Sequence, residues 1–250
     1  MNSAIILSVI GGLIWGSFLN VLLWRLPEEK SIGGRSHCRD CHHLLAWYDL
    51  IPVLSFIVLK GRCRYCHTPI HIRYPVVEIS TATVLALFFA VRQPLLGLEV
   101  VMTVFALLIL TSLFFFDLFY LVLPDVLIFP AIIVYAIYDL IKAVNPFSYF
   151  LTALLSAGLF AILYTVSRGK KMGFGDVKLA ILIGLILGYP FGFLAIVGGV
   201  WLAAIVSIIL LALKKAALQD AIPLGSFLAL ATILSIIFYH EILPLAKFFQ

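Results

Sequence analysis

Apolar residues run through this chain in long stretches broken by short polar punctuation. A helix that crosses a bilayer needs about 20 mostly apolar residues. The first such stretch extends from about Ala4 to Trp24. A polar segment follows, about Arg25 to Tyr74, and holds all four cysteines and five of the six histidines. Beyond it the sequence is apolar nearly to its end. Its Gly, Pro and polar breaks divide it into runs at about 76–91, 98–116, 126–141, 148–167, 177–190, 193–213 and 224–240. The pattern predicts an all-α polytopic membrane protein of about eight transmembrane helices, with a polar loop between the first and second. No basic residue precedes the first run and no small-residue cleavage site follows it, so it reads as a retained span and not as a cleaved signal. No low-complexity tract and no internal repeat is evident.

Composition makes the membrane reading firm. Of 250 residues, 64% are hydrophobic and 12% charged, against roughly 45–50% and 25% in a soluble domain. That excludes a soluble enzyme, a disordered chain and a secreted disulfide scaffold. The net charge of +5 does not call for a nucleic-acid partner, because lysine and arginine are retained in excess on the cytoplasmic side of a membrane. With the N- and C-termini outside, the cytoplasmic segments are 25–75, 117–125, 168–178 and 214–223. These hold 14 of the 17 basic residues, among them Arg168, Lys170 and Lys171, and leave only Arg92, Lys142 and Lys247 elsewhere. The opposite orientation would place those 14 on the wrong side.

The polar loop carries Cys38-x2-Cys41 and Cys63-x2-Cys66, separated by 21 residues. Each pair can chelate, and the two pairs together can close a tetrahedron, which suits Zn2+ bound by four thiolates. The cytoplasmic side is reducing and disfavours two disulfides. A loop of this length has little core of its own, and a metal can substitute for one. Redox-active thiols are the alternative. His37, His42, His43 and His67 read as solvated loop residues, since four cysteines already fill a zinc shell.

Carboxylates inside apolar runs are costly and mark functional candidates. Asp117 ends the third run and Asp176 starts the sixth, so both are expected at the same depth on the cytoplasmic side, 59 positions apart. Two carboxylates at one site can share a proton, one acting as base on water and the other as acid. Gly173 and Gly175 precede Asp176 and would let an extended segment pair with a bound peptide. The helix dipoles suggest that Asp176 begins as base and Asp117 as acid. Asp125, after Pro124, reads as a helix N-cap, and Asp139 as an interfacial residue. Lys178 reads either as an electrostatic support of the site or as a cytoplasmic anchor.

These motifs together resemble those of the type IV prepilin peptidases. They are Gly16-Ser-Phe-Leu-Asn-Val21 with Arg25-Leu-Pro27, the two Cys pairs around Asp49-Leu-Ile-Pro-Val-Leu-Ser-Phe56, and Gly61-Arg-Cys63. Arg73-Tyr-Pro-Val-Val-Glu78, Asp117 with Leu123-Pro-Asp125, and Gly173-Phe-Gly-Asp-Val-Lys-Leu179 complete the series. The resemblance covers nearly the whole chain. It implies a GxGD-type intramembrane aspartic protease of the bacterial inner membrane with Asp117 and Asp176 as its catalytic pair, supported by Gly173, Gly175 and Lys178. The implied substrates are prepilins or pseudopilins, cut after a Gly at the cytoplasmic face. A second activity would transfer methyl from S-adenosylmethionine to the new N-terminal residue, in association with the cysteine loop. On this division residues 1–24 are the first span, 25–75 the zinc-binding and methyltransferase-associated loop, and 76–250 a seven-helix peptidase domain. The first Cys pair lacks the Pro after Cys38 that many members carry, and no Gly-rich nucleotide fingerprint locates the methyl-donor site. Asn20, Arg73 and Glu78 are candidates by motif position, with helix packing for Asn20 and an Arg73–Glu78 ion pair as structural alternatives. A peptidase without methylation, and a non-enzymatic zinc-ribbon membrane protein or transporter, are the competing readings. The sequence does not give the oligomeric state.

Overall fold

The structure, a computed structural model, describes residues 2–95, 97–142, 145–169, 172–215, 217 and 221–246. Lys170 and Lys171, two of the topology-determining cations, and Lys247 lie outside the described residues. The chain forms two compact units, Met1–Leu96 and Gly97–Gln250.

In the first unit two long apolar helices, α1 (Asn2–Arg25) and α3 (Arg73–Arg92), flank the loop. Between them lie a 3₁₀ turn, Trp47–Leu50, and a short helix α2, Leu54–Val58. Glycines explain how closely α1 and α3 approach. A Cβ on Gly12 would lie 2.5 Å from Cα of Ala82, and one on Gly16 would lie 2.6 Å from Cα of Glu78. The pairing of 12 with 82 and 16 with 78 makes the helices antiparallel, and small residues four apart allow backbone contact where lipid gives no hydrophobic drive. The loop is tied to their adjoining ends. The Arg25 guanidinium donates to the carbonyls of Ser31 (3.1 Å), Ile32 (2.7 Å) and Gly33. Asn20 Nδ2 donates to the Tyr74 carbonyl at 3.0 Å, the helix-packing bond considered for it. Glu78 Oε2 accepts the Val53 N–H at 2.8 Å.

The second unit contains α4 (Leu98–Tyr120), α5 (Asp125–Lys142), α6 (Pro146–Ser167), α7 (Phe174–Leu187), α8 (Phe191–Ala212), α9 (Leu224–Ile237) and α10 (Tyr239–Ala246). Helix α7 packs against α5, α6, α8 and α9. Its Leu179, Ala180, Leu182 and Ile183 are fully buried, as expected of a helix that is apolar all round. The interior position of α7 is what carries Asp176 inward.

Eight apolar helices, α1 and α3 to α9, stand where the hydrophobic pattern puts them. Five of them, α1, α3, α4, α6 and α8, are long and apolar enough to cross a membrane. Helix α5 has 18 residues but carries Asp125, Asp139 and Lys142. Helices α7 and α9 have 14 residues each, a rise of about 21 Å against a hydrocarbon core of about 30 Å. Asp139, near the C-terminal end of α5, is buried, 3% exposed, with no hydrogen-bond partner for Oδ2, so its side chain faces the inside of the unit. No strand occurs among the described residues.

Candidate active site

Asp117 sits in the last turns of α4, on a face shared with the fully or nearly fully buried Leu110, Leu113 and Phe116. The helix ends at Leu121, whose left-handed φ of 54° lets its N–H close on the Asp117 carbonyl at 2.9 Å. Asp117 is 6% exposed. Its Oδ2 accepts the backbone N–H of Ser226 at 2.6 Å and lies 3.1 Å from the Ser226 hydroxyl. Ser226 is in the first turn of α9, and its N–H is shared between Asp117 and the Pro223 carbonyl, 3.2 Å away. Gly225 makes the approach possible, since a Cβ there would stand 3.1 Å from both Cγ and Oδ2 of Asp117.

Asp176 is 8% exposed and lies in the first turn of α7, whose N-cap is Gly173. The Gly173 N–H meets its carboxylate, a reach-back that satisfies a free helix donor. Both aspartates line one cavity of about 720 Å³, together with Leu123, Gly173, Gly175 and Lys178. The cavity lies where the C-terminal end of α4 meets the N-terminal ends of α5, α7 and α9. Consecutive helices that run up and down bring just these termini to one end, so the shared placement of the two carboxylates follows from topology.

The two glycines behave differently. Gly173 is extended, at φ −77° and ψ 148°, whereas Gly175 already lies in α7, where a Cβ would come 3.1 Å from Leu123 Cβ. Gly175 therefore gives room for close packing, and the stretch left extended for a peptide is shorter than expected. Lys178 pairs with Asp125, the first residue of α5. Its Nζ lies 5.4 Å and 5.7 Å from the ring centres of Phe129 and Phe174. It is thus turned into the cavity wall and does not act as a free surface anchor. Asp139 is not among the residues lining this cavity. Donors reach both carboxylates, so helix ends alone do not decide which one starts as base.

The four cysteines come together within the first unit. Their Sγ atoms all lie within 4.8 Å of one another and the thiols are free, a donor set that can hold a metal ion. Each pair sits in the same small hairpin. Cys38 N–H donates to His43 O (3.0 Å) and His42 N–H to Cys38 O (3.1 Å). Cys63 N–H donates to Thr68 O (2.9 Å) and His67 N–H to Cys63 O (3.0 Å). Isolated bridges close both, His37 with Leu44 and Arg62 with Pro69, and His42 and His67 both turn through positive φ, 56° and 60°. This is an internal repeat, carried by Cys-Arg-x-Cys-His at Cys38 and at Cys63, which the linear pattern did not reveal. The Cys66 thiol is pulled down to about 6 by the Thr68 hydroxyl and the Thr68 backbone N–H, and the thiolate is the form that ligates metal. Asp49 braces the second hairpin by accepting from Arg64 at 2.7 Å.

Comparison with known proteins follows this division. Residues 10–92 match the profile of the Bacterial Peptidase A24 N-terminal domain, and residues 103–208 that of the Type IV leader peptidase family. A protein of Vibrio cholerae serotype O1 named prepilin leader peptidase/N-methyltransferase is 32% identical over 206 residues, covering 75% of this chain and 79% of its own. The chain belongs to the type IV leader peptidase family. Two more relatives carry the same name. The Pseudomonas putida protein is 29% identical over 266 residues, 95% of this chain and 92% of its own. The Myxococcus xanthus protein is 45% identical over 123 residues, which span 48% of this chain and 36% of that one. No solved structure matches. Asp117 and Asp176 fall inside the leader peptidase segment and the four cysteines inside the N-terminal one. Gly225 and Ser226 lie beyond both. Sequence reasoning passed over these two because small residues at a helix start carry no chemical signal of their own.

Proposed function

We propose that this protein cleaves the leader from type IV prepilins or pseudopilins with Asp117 and Asp176, and then N-methylates the new amino terminus. The observation that carries the reading is the pair of buried carboxylates lining one cavity at one end of the second unit, in a chain of the leader peptidase family. One carboxylate takes a proton from water as its oxygen attacks the carbonyl of the leader's last Gly. The other gives a proton to the carbonyl oxygen. Collapse of the adduct breaks the C–N bond, and the amine leaves with a proton. The Ser226 N–H and the Gly173 N–H hold the two carboxylates in place. Lys178, fixed by Asp125, sets a positive charge beside them.

The excess of Lys and Arg in the segments after α1, α6 and α8 supports a cytoplasmic site and cysteine loop, with both termini outside. The bilayer is then the solvent for the eight helices, and the pilin's apolar helix would lie among them. Four mutually close thiols suit structural Zn2+. The loop at 25–75 would serve methylation, and residues 76–250 cleavage. S-adenosylmethionine supplies an electrophilic methyl group to the amine. Incubating the purified protein with a prepilin and labelled methyl donor tests both activities at once. Truncated, labelled pilin is the expected product. Unprocessed prepilin would reject the reading, and truncation without label would reject its second half.

A further inference from the structure

The stretch between the two cysteine pairs is largely apolar. Residues 47–58 read Trp-Tyr-Asp-Leu-Ile-Pro-Val-Leu-Ser-Phe-Ile-Val, with Asp49 the one charged side chain. They include the 3₁₀ turn and α2, which pack on each other. Helix α2 is apolar on two sides. Pro52, Ser55, Phe56 and Leu59 follow helical spacing and line a cavity of about 620 Å³ in the first unit. Leu54, Ile57 and Val58 are turned away from it and are 54%, 63% and 64% exposed, and Trp47 is 77% exposed. Single exposed apolar residues are ordinary, but a grouped set marks an interaction surface.

The attachment of this segment sets its depth. The Val53 N–H donates to Glu78 Oε2 at 2.8 Å. Glu78 stands five residues inside α3, about 7.5 Å from the helix start. It packs on Gly16, which is nine residues short of the end of α1, about 13.5 Å. Both helices are long and apolar enough to cross a membrane, so α2 begins beside them and not beyond their ends. Backbone at such a depth must find its hydrogen bonds within the protein. The N–H groups of Ser55, Ile57 and Leu59 do so, each on the carbonyl four residues back, at 3.1, 3.0 and 2.9 Å. After α2, residues 59–73 carry Lys60, Arg62, Arg64 and Arg73 and no acidic side chain. Arg64 pairs with Asp49, while Lys60 and Arg62 are exposed. Apolar side chains, an exposed indole and following cations are the composition of a segment that lies in the surface of an anionic bilayer.

We infer that the outer face of α2, with Trp47, is seated in the bilayer surface where α1 ends and α3 begins. Leu54, Ile57 and Val58 enter the upper acyl region, and Lys60 and Arg62 meet anionic phospholipid headgroups. The loop is then a third membrane contact of the first unit, and not a polar domain hung from two helices. The inference rests on α1 and α3 as spans and is independent of the proposed chemistry. If the chain processes pilins, this contact keeps the cysteine hairpins at the level where a membrane-held pilin presents its new amino terminus.

The test uses the wild-type, full-length protein in bilayers of equal parts phosphatidylcholine and phosphatidylglycerol. A trace of one lipid or the other carries a photoreactive diazirine near the glycerol end of an acyl chain. Mass spectrometry of the digest should find label within residues 47–58, at a yield comparable with that at Val76 and Ile79, two exposed apolar positions of α3. The phosphatidylglycerol probe should label this segment more strongly than the phosphatidylcholine probe. Lys60→Gln and Arg62→Gln should each cut that preference by up to about fivefold, the worth of one cation at an anionic surface. Ile57→Glu with Val58→Glu should remove the label from α2 and leave α3 labelled. Label on α1 and α3 with none in residues 47–58 overturns the docking and gives the face to a second copy or a soluble partner. Equal labelling by the two probes overturns the anionic contact.

Discussion

The thiols of Cys38 and Cys66 stand 28 positions apart and 3.7 Å from each other in space. Asp117 and the Ser226 that holds it stand 109 positions apart. The first unit thus gathers its chemistry by local turns, two copies of one hairpin that a shared metal can clamp. The second gathers its chemistry by folding a bundle, so that helix ends distant in sequence meet. The first should therefore depend on a ligand that can be removed. The second should depend on volume and on backbone donors that no reagent can strip away.

Replacing the two carboxylates proposed to react gives the largest effect. Asp117→Asn or Asp176→Asn should remove prepilin cleavage, a loss of at least about 10²–10⁴-fold for a missing acid or base, while the protein still inserts into the membrane. Processing in isolated membranes measures it, and wild-type processing by either variant would reject the pair. In the wild type the rate should trace a bell with pH. It falls at low pH, where both carboxylates hold protons and no base remains, and at high pH, where neither can act as acid.

Next comes metal removal. Structural zinc contributes about 10–16 kcal/mol in small zinc domains. A strong chelator, or Cys63→Ser with Cys66→Ser, should expose residues 26–72 to protease. The helices of the second unit should keep their protection. Equal resistance before and after chelation would mean that the hairpins stand without metal.

The same contrast governs what could be read before the fold was known. Metal-ligand spacing is a local property, so two Cys pairs in one loop announce their chemistry. Asp117 and Asp176 are legible for another reason, the scarcity of charge in the runs they end and begin. The limits are equally physical. The burial of Asp139 is not legible because a hydrophobic run does not say which face of α5 turns inward. The hairpin repeat escapes notice because turns and backbone bonds define it and only Cys-Arg-x-Cys-His is shared. Helices α7 and α9 are shorter than a bilayer is thick, which a hydrophobicity pattern blurs into the Gly and Pro residues around them. Gly225 matters through the side chain it lacks.

That absence gives the third prediction. Gly225→Val places carbon where Cγ and Oδ2 of Asp117 already stand 3.1 Å from a Cβ. Overpacking of this kind costs about 1–3 kcal/mol. Felt at the carboxylate, it should lower kcat for cleavage about tenfold or more while KM changes little. A variant with unchanged kcat would show that Asp117 tolerates displacement.

The smallest effect is expected at the hydroxyl of Ser226, and its size separates two donors. Ser226 Oγ lies 3.0 Å from the Phe114 carbonyl and 3.1 Å from Asp117 Oδ2, yet it has a single hydrogen to give. The Phe114 carbonyl can only accept. When the hydroxyl serves it, Oγ can meet Asp117 only as an acceptor, which requires the acid form. The backbone N–H, at 2.6 Å, serves Asp117 in either case and survives in Ser226→Ala. That variant should therefore lose less than about tenfold in kcat, the worth of one ordinary hydrogen bond. One limb of the pH profile should move and the other stay, since the hydroxyl touches only one of the two carboxylates. A loss near that of Asp117→Asn would mean that the side chain, and not the start of α9, holds the aspartate. The second unit would then depend on one removable group, as the first is expected to depend on its metal.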